Sequence, residues 1–269
     1  MKNIVLILLV SLLLIGCREK RVLKDTLVNK GTDSTQLMYF ESELFSGVAF
    51  DVRTDGQLSE EANFKDGKKD GLCKWMYENG QLKEESNWED GKANGLGRKW
   101  WLNGQLDEES NFKDGKREGL GRKWHENGQI KFEVNFKDGE QNGLYKSWYE
   151  NGQRESKCNY KNGKLDGLRS DFYENGQLKF EKNYKDGEQN GLYKSWYENG
   201  QRENDFNYID GTDNLDFIKT WYKNGQLRYE ANYLEAEKIF VREWYENSRL
   251  KSEANYQGGL LVNPISRFD

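Results

Sequence analysis

Apolar and polar residues alternate along most of this chain in blocks that repeat every 24 residues. A turn triplet marks each block, as in Asn79-Gly80-Gln81, and six successive intervals between triplets, from Asp55 to Asn199, are all 24 residues. A second mark lies between them, as in Asp66-Gly67, and a Gly-Leu pair such as Gly71-Leu72 follows it. Alternation with period two on both sides of an Asn-Gly pair is typical of a β-hairpin. The pattern therefore predicts about nine hairpins in succession.

A type I′ turn at Asn-Gly would fix which residues oppose each other within a hairpin. In the unit that contains Asn79-Gly80, this turn places Tyr77 opposite Leu82 and Lys74 opposite Glu85. The same rule places opposite charges across six of eight hairpins, worth about 0.2–1 kcal/mol each. The two exceptions are the pairs Lys146–Lys157 and Ser170–Glu181.

This register also predicts the composition of the two sheet faces, because side chains alternate between faces along a strand. One face would carry Tyr77, Leu82 and Trp88, and the other would carry Leu72, Met76, the charged pair and Asn87 with their equivalents in later units. The first face has fewer charges, which predicts that it is the packed side. The second face gains one aromatic residue in each later hairpin, here called the ladder: Trp100, Trp124, Trp148, Phe172, Trp196, Trp221 and Trp244.

The N-terminus has the pattern of an export signal. Lys2 precedes an apolar run from Ile4 to Ile15 that is shorter than the about 20 residues needed to span a bilayer. The run ends in Leu14-Ile15-Gly16-Cys17, which resembles the bacterial lipobox, in which the cysteine is acylated and becomes the first residue of the mature protein. We therefore expect a signal peptide at 1–16, lipid attachment at Cys17 and a polar tether over 17–36. This predicts a location at the cell envelope, on the outer membrane if the organism has one.

The repeated unit W-Y-E-N-G-Q-L-K-x-E-x-N-[FYW]-K-D-G-x-x-x-G-L resembles the variant MORN repeat of bacteria, in its antitoxin-like, YwqK-type form. The resemblance covers a repeat domain over 37–257, and 258–269 would be a C-terminal cap or tail. It implies an all-β fold, an elongated sheet or solenoid of antiparallel hairpins. It also implies lipid-proximal scaffolding and self-association, and some members of the family are labelled antitoxin components.

Composition and the few reactive residues argue against catalysis. The net charge of −5 does not suit a nucleic-acid partner, which favours a basic surface. His125 is the sole histidine and stands where other units have Tyr, so it is interpreted as a substitution within the repeat. Cys73 and Cys158 lie three to four hairpins apart, too far for a disulfide, and are expected to be single buried or half-buried thiols. The Asp-Gly loops lack the ligand spacing of a calcium loop. We expect no catalytic residue, no metal site and no cofactor.

These features predict a non-enzymatic, lipid-anchored repeat scaffold that binds a protein, or alternatively a glycan, along the sheet. The ladder is the candidate binding surface, and structural stacking between hairpins is the competing interpretation of the same residues. An antitoxin-like or immunity protein that neutralises a toxin is the alternative function. A hydrolase hidden in the repeats would need polar residues that break the pattern on one face, and none is evident in the sequence.

Overall fold

The hairpins lie side by side in chain order and form one long open sheet. A computed structural model describes residues 20–30, 37–209, 212–234, 238–262 and 266–267. In this part of the chain, 23 strands form the long sheet and three form a small second sheet. Neighbouring strands of the long sheet are antiparallel, apart from the parallel pair at its N-terminal end. The expected all-β repeat fold is therefore confirmed.

Most strands are six to ten residues long, and one 3-10 turn, Lys24–Thr26, is described. The strands are β1 Arg21–Leu23, β2 Val28–Lys30, β3 Leu37–Phe40, β4 Glu43–Leu44, β5 Gly47–Val52, β6 Leu58–Lys65, β7 Lys68–Met76, β8 Leu82–Glu89, β9 Lys92–Trp100, β10 Leu106–Lys113, β11 Lys116–Arg117, β12 Gly119–Trp124, β13 Ile130–Lys137, β14 Glu140–Trp148, β15 Arg154–Lys161, β16 Lys164–Leu165, β17 Gly167–Phe172, β18 Leu178–Lys185, β19 Glu188–Trp196, β20 Arg202–Ile209, β21 Thr212–Trp221, β22 Leu227–Leu234, β23 Lys238–Trp244, β24 Leu250–Gln257, β25 Leu260–Leu261 and β26 Ser266–Arg267.

The Asn-Gly turns are not of type I′, so this part of the sequence prediction is wrong. The Gly80 N–H donates to the Tyr77 carbonyl, and the Tyr77 N–H donates to the Gln81 carbonyl, which closes a three-residue loop. In this loop only Gly80 has a positive φ, of 80°. This is the type I turn followed by a bulge glycine. The Asn79 side chain stabilises it, because its Oδ1 accepts a hydrogen bond from the Gln81 N–H at 3.0 Å.

Next to each Asn-Gly turn the strand pairing differs from the predicted pairing by one residue. A β-bulge further along the strand brings the observed pairing back to the predicted one. Leu82 pairs with Met76 instead of Tyr77, and the extra residue Lys83 then shifts the register by one. Beyond the bulge, Lys74 lies opposite Glu85 as predicted. All six opposite-charge pairs and both exceptions are confirmed by the observed register.

The Asp-Gly turns are the two-residue type I′ turns of this fold. Asp90 and Gly91 both have positive φ, 48° and 81°, and the flanking residues Glu89 and Lys92 pair directly. The same conformation occurs at the equivalent Asp or Asn residues of five other units. Asp and Asn tolerate this region of φ better than other residues with a side chain. The turn type expected at Asn-Gly therefore occurs at the other end of the strands.

The bulges also correct the predicted faces. Directly paired residues share a face, so Met76 and Leu82 both lie on the face of the charged pairs, here called the row face. Trp88 lies on the opposite face with Cys73, here called the column face. The centre of the column face is a line of small, mostly buried residues on successive strands, among them Ala49, Ala62, Cys73, Ser86, Gly97 and Ser110.

Aromatic side chains cover these small residues on the column face. A Cβ added to Gly97 would lie 3.0 Å from Phe112, and one added to Gly121 would lie 2.9 Å from Phe136. Each ring therefore lies against a glycine of the neighbouring strand, which buries apolar surface without a second layer. This agrees with the prediction that the Trp88 side is the packed side.

A two-layer core exists only at the N-terminal end of the described sheet. Phe45 is 1% exposed and packs with Ala62 and Cys73, while Val22, Leu27, Met38 and Phe40 pack against this cluster. β1 pairs in parallel with β5, and the Val48 N–H donates to the Lys20 carbonyl at 2.7 Å. The expected tether over 17–36 is therefore corrected for residues 20–30, which belong to the folded part. The signal peptide, Cys17 and residues 31–36 lie outside the described residues.

Candidate functional site

The ladder residues occupy one repeated position on the row face. Each is the last residue of the strand before an Asn-Gly-type turn, and each pairs with an apolar residue or an arginine. All seven are half-buried. Two of them, Trp148 and Trp196, carry the guanidinium of Arg154 and Arg202 at 5.0 and 4.7 Å from the ring centre. The ladder is thus a row of partly exposed rings, some bearing a cation.

The ladder rings do not stack on one another among the described residues, where every close aromatic pair involves other residues. Neighbouring hairpins are joined instead through the backbone of the ladder. The Tyr149 hydroxyl donates to the carbonyl of Phe172 at 2.7 Å, and the Tyr197 hydroxyl donates to that of Trp221 at 2.8 Å. The rings therefore contribute no ring stacking between hairpins.

His125 takes part in this series of inter-hairpin bonds. Its Nε2 donates to the Trp148 carbonyl at 2.8 Å, as the tyrosine hydroxyls do in other units. Its Nδ1 lies 3.8 Å from a Glu150 carboxylate oxygen. This structural bond supports the interpretation of His125 as a substitution within the repeat.

The charged pairs merge into one continuous row along the row face, because each residue also pairs with the next hairpin. Arg98 contacts both Glu85, at 3.5 Å, and Glu109, at 2.9 Å. Arg122 likewise bridges Glu109 and Glu133, at 3.7 and 3.1 Å. The alternation of charge is interrupted at Lys146, Lys157 and Ser170, which are consecutive in the row.

A polar and aromatic cluster on the column face, beside this interruption, was not predicted from the sequence. The Arg169 guanidinium donates two hydrogen bonds to Asp171, at 2.9 and 2.7 Å, and this pairing raises its pKa. Lys182 lies 4.8 Å from the Phe180 ring centre, and burial together with the nearby Arg169 lowers its pKa. The Tyr193 and Phe206 rings stack at 5.2 Å on the far side of this lysine. The cluster is not periodic, and its only signal in the sequence is that residues 156–171 depart from the repeat.

The two cysteines of the described chain are free and buried, as expected. Burial raises the pKa of both thiols, which keeps them protonated and unreactive. Within the described ranges, no group of three or more His, Cys, Asp or Glu side chains is placed to hold a metal ion. The described residues also contain no helix that is long and apolar enough to span a membrane.

The sheet and its two open faces define a class of protein, the linear β-hairpin repeat proteins. The family model described as MORN repeat variant matches residues 69–90, 93–114, 117–138, 141–162, 165–186, 189–210 and 218–235, together more than half of the chain. The chain belongs to this family. MORN repeats are often protein- or lipid-binding modules and are generally not catalytic.

No curated protein matches the chain. Among solved structures, the chain is similar to a chain of the "Crystal Structure of TcdB2-TccC3-Cdc42", with 10% identity and a TM-score of 0.20. The match covers 84% of this chain and 16% of that one, so this chain spans less than a fifth of the length of the chain that it matches.

Proposed function

We propose that this protein is a non-enzymatic, lipid-anchored repeat scaffold at the bacterial cell envelope, and that it binds a partner protein along the row face. The observation that carries the proposal is the ladder itself. Its rings are half-buried, make no ring–ring contacts among the described residues and recur once per hairpin. Aromatic rings that are partly exposed and regularly spaced suit binding to an extended partner surface.

A surface made of equivalent positions should bind in a distributed way. Replacing Trp124, Trp148 or Trp196 with Leu should weaken partner capture by about 1–2 kcal/mol each, and the losses should accumulate in combinations. The melting temperature should change little, because the ladder rings do not stack on one another between hairpins. The measurement is affinity capture of envelope proteins with the full chain, followed by thermal melting of each variant.

Phe112→Leu is the matched control on the column face, because the Phe112 ring covers Gly97. This variant should lower the melting temperature and leave capture at low temperature unchanged. A ladder series that lowers stability and leaves capture intact would refute the binding surface. If the captured protein is a toxin that this chain neutralises, the antitoxin-like alternative replaces the scaffold.

The lipid anchor has its own test. Cys17→Ser should leave the protein unprocessed or release it from the membrane fraction, because acylation at this cysteine would supply the attachment. Membrane partition equal to that of the parent protein would exclude the lipobox interpretation.

A further inference from the structure

Two segments of this sheet are identical in sequence and differ in the charges that face them. Residues 137–155 and 185–203 are the same at every position. Each copy provides a lysine of the charge row and an arginine over a ladder tryptophan. In the first copy the lysine is Lys146, and Arg154 lies over Trp148. In the second the lysine is Lys194, and Arg202 lies over Trp196. The chain therefore contains the same cationic segment in two surroundings.

In the second copy, an acidic residue pairs with the arginine, and acidic residues stand on both sides of the lysine. The Arg202 guanidinium donates to Asp205 at 2.8 Å. Lys194 stands directly between Asp205 and Glu181 in the charge row. Arg202 precedes Asp205 by three residues, with a bulge between them, and its guanidinium still reaches the Asp205 carboxylate.

In the first copy, Lys157 occupies the place of Asp205. It pairs with Lys146 on one side and with Ser170 on the other, so neither neighbour in the row is acidic. The remaining acidic neighbour of Lys146 is Glu133, which already contacts Arg122 at 3.1 Å. None of Lys146, Arg154 and Lys157 forms an ion pair within the described part of the chain, and the Arg154 Nη1 is buried without a hydrogen-bond partner.

We infer that Lys146, Arg154 and Lys157 form an anion-recognition site on the row face, and that its ligand is an acidic segment of a partner protein. The inference rests on the proposed scaffold function and specifies the chemistry of the partner. Like charges opposite each other destabilise a sheet, and a carboxylate placed between the two lysines would remove that cost. Trp148 adjoins the cations, so a segment that combines carboxylates with an apolar side chain fits best.

The surroundings favour a protein segment over an anionic membrane. The chain carries a net charge of −5, and the row has acidic residues at Glu133 and Glu181 on the two sides of the site. Membrane attraction grows with the number of basic residues near the lipid surface, whereas here the three cations are followed on each side of the row by a carboxylate. A narrow site of this kind selects a ligand with closely spaced carboxylates.

The test uses Lys157→Glu in the full chain, which gives this hairpin the residue that stands at the equivalent places Glu133 and Glu181. Because the change restores the alternation of charge, the variant should fold and melt no lower than the parent. The probe is a labelled peptide of Glu, Ser and one Trp, with a Gln-for-Glu peptide as the reference, measured by fluorescence anisotropy. Lys113→Glu, an exposed lysine at the end of β10, makes the same change in net charge and is the control.

The parent should bind the Glu peptide and not the Gln peptide, and Lys157→Glu should weaken binding about ten-fold or more, whereas Lys113→Glu should not. The double variant Asp205→Lys with Lys219→Ser reproduces the first copy in the second, and should bind a second equivalent of peptide. Absence of binding by the parent, or equal effects of Lys157→Glu and Lys113→Glu, would overturn the inference.

Two further measurements identify which proposal fails. The first measures binding to vesicles of anionic lipid and to inorganic phosphate. If this binding depends on Lys157 and peptide binding does not, the ligand is the lipid or the phosphate and the acidic protein segment is refuted. The second measures partner capture. If Lys157→Glu captures the partner fully and Trp148→Leu does not, the scaffold function is supported and recognition of an acidic segment is refuted. Unchanged capture by the ladder variants would refute the scaffold itself.

Discussion

The hydroxyl bonds between hairpins predict how the stability of the sheet is distributed. Tyr149 and Tyr197 lie in the identical segments, and each hydroxyl donates to the carbonyl of a ladder residue in the next hairpin, at 2.7 and 2.8 Å. Tyr→Phe at either position removes one hydrogen bond and leaves the ring in place. The expected loss is about 1–1.5 kcal/mol, because a net hydrogen bond contributes about 0.5–1.5 kcal/mol and the abandoned carbonyl is partly buried.

The two sites should act independently. They are two hairpins apart, or four strands at about 4.8 Å each, so they lie about 19 Å from each other and share no contacts. The double variant should therefore lose the sum of the single losses, about 2–3 kcal/mol. Urea unfolding followed by far-ultraviolet circular dichroism gives these free energies, and an unchanged dependence on denaturant shows that the variants unfold as the parent does.

Tyr245→Phe is the internal control for this pair. Tyr245 occupies the same position in the last Asn-Gly-type hairpin, is 42% exposed and has no hydroxyl hydrogen bond among the described residues. Its replacement should change the free energy of unfolding by less than about 0.5 kcal/mol. Equal losses for Tyr149→Phe and Tyr245→Phe would show that the hydroxyl bond does not couple the hairpins.

Two other perturbations test the architecture. Deleting 139–186 joins Asp138 to Gly187 and rebuilds an Asp-Gly turn. Because repeats depend on their nearest neighbours, the shorter chain should keep its β-sheet circular dichroism signal and melt cooperatively. Loss of either property would contradict nearest-neighbour architecture. At high pH the sheet should lose stability, because burial raises the pKa of Tyr145, Tyr160, Tyr184 and Tyr193 above 10.0. These groups release protons first in the unfolded chain, so their stabilising contribution is complete below pH 10 and is lost as pH rises through their folded pKa values. Denaturant melts at increasing pH, with tyrosinate absorbance as the second signal, should show this decline, and flat stability above pH 10 would oppose it.

Periodic features of the fold were predictable from the sequence, and the non-periodic ones were not. The strand pairing from Lys74–Glu85 to Arg242–Glu253 follows from the recurring positions of the Asn-Gly-type turns. The turn type could not be predicted in this way, because the Asn79 side chain accepts a hydrogen bond from the Gln81 N–H and selects a three-residue loop. The bulge at Lys83 then moves Leu82 to the row face, which alternation from a two-residue turn cannot anticipate.

The candidate sites divide in the same way. The ladder recurs once per unit and was visible in the sequence. Arg169 and Asp171 are neighbours on β17 that occur once, and Lys182 joins them only through the pairing of β17 with β18. The N-terminal strands around Val22 were missed because a three-residue strand has too few residues to show a period. Their packing against Phe45 depends on contacts distant in sequence.

The identical segments at 137–155 and 185–203 also have a consequence for how this protein changes length. Unequal recombination between the two coding segments would add or remove two units in frame. Each unit contributes two strands, so such an event changes the reach of the sheet by about 20 Å while both ends stay the same. It would also gain or lose Lys157 and its unpaired cations. Reach and partner choice would then vary together between descendants of one gene.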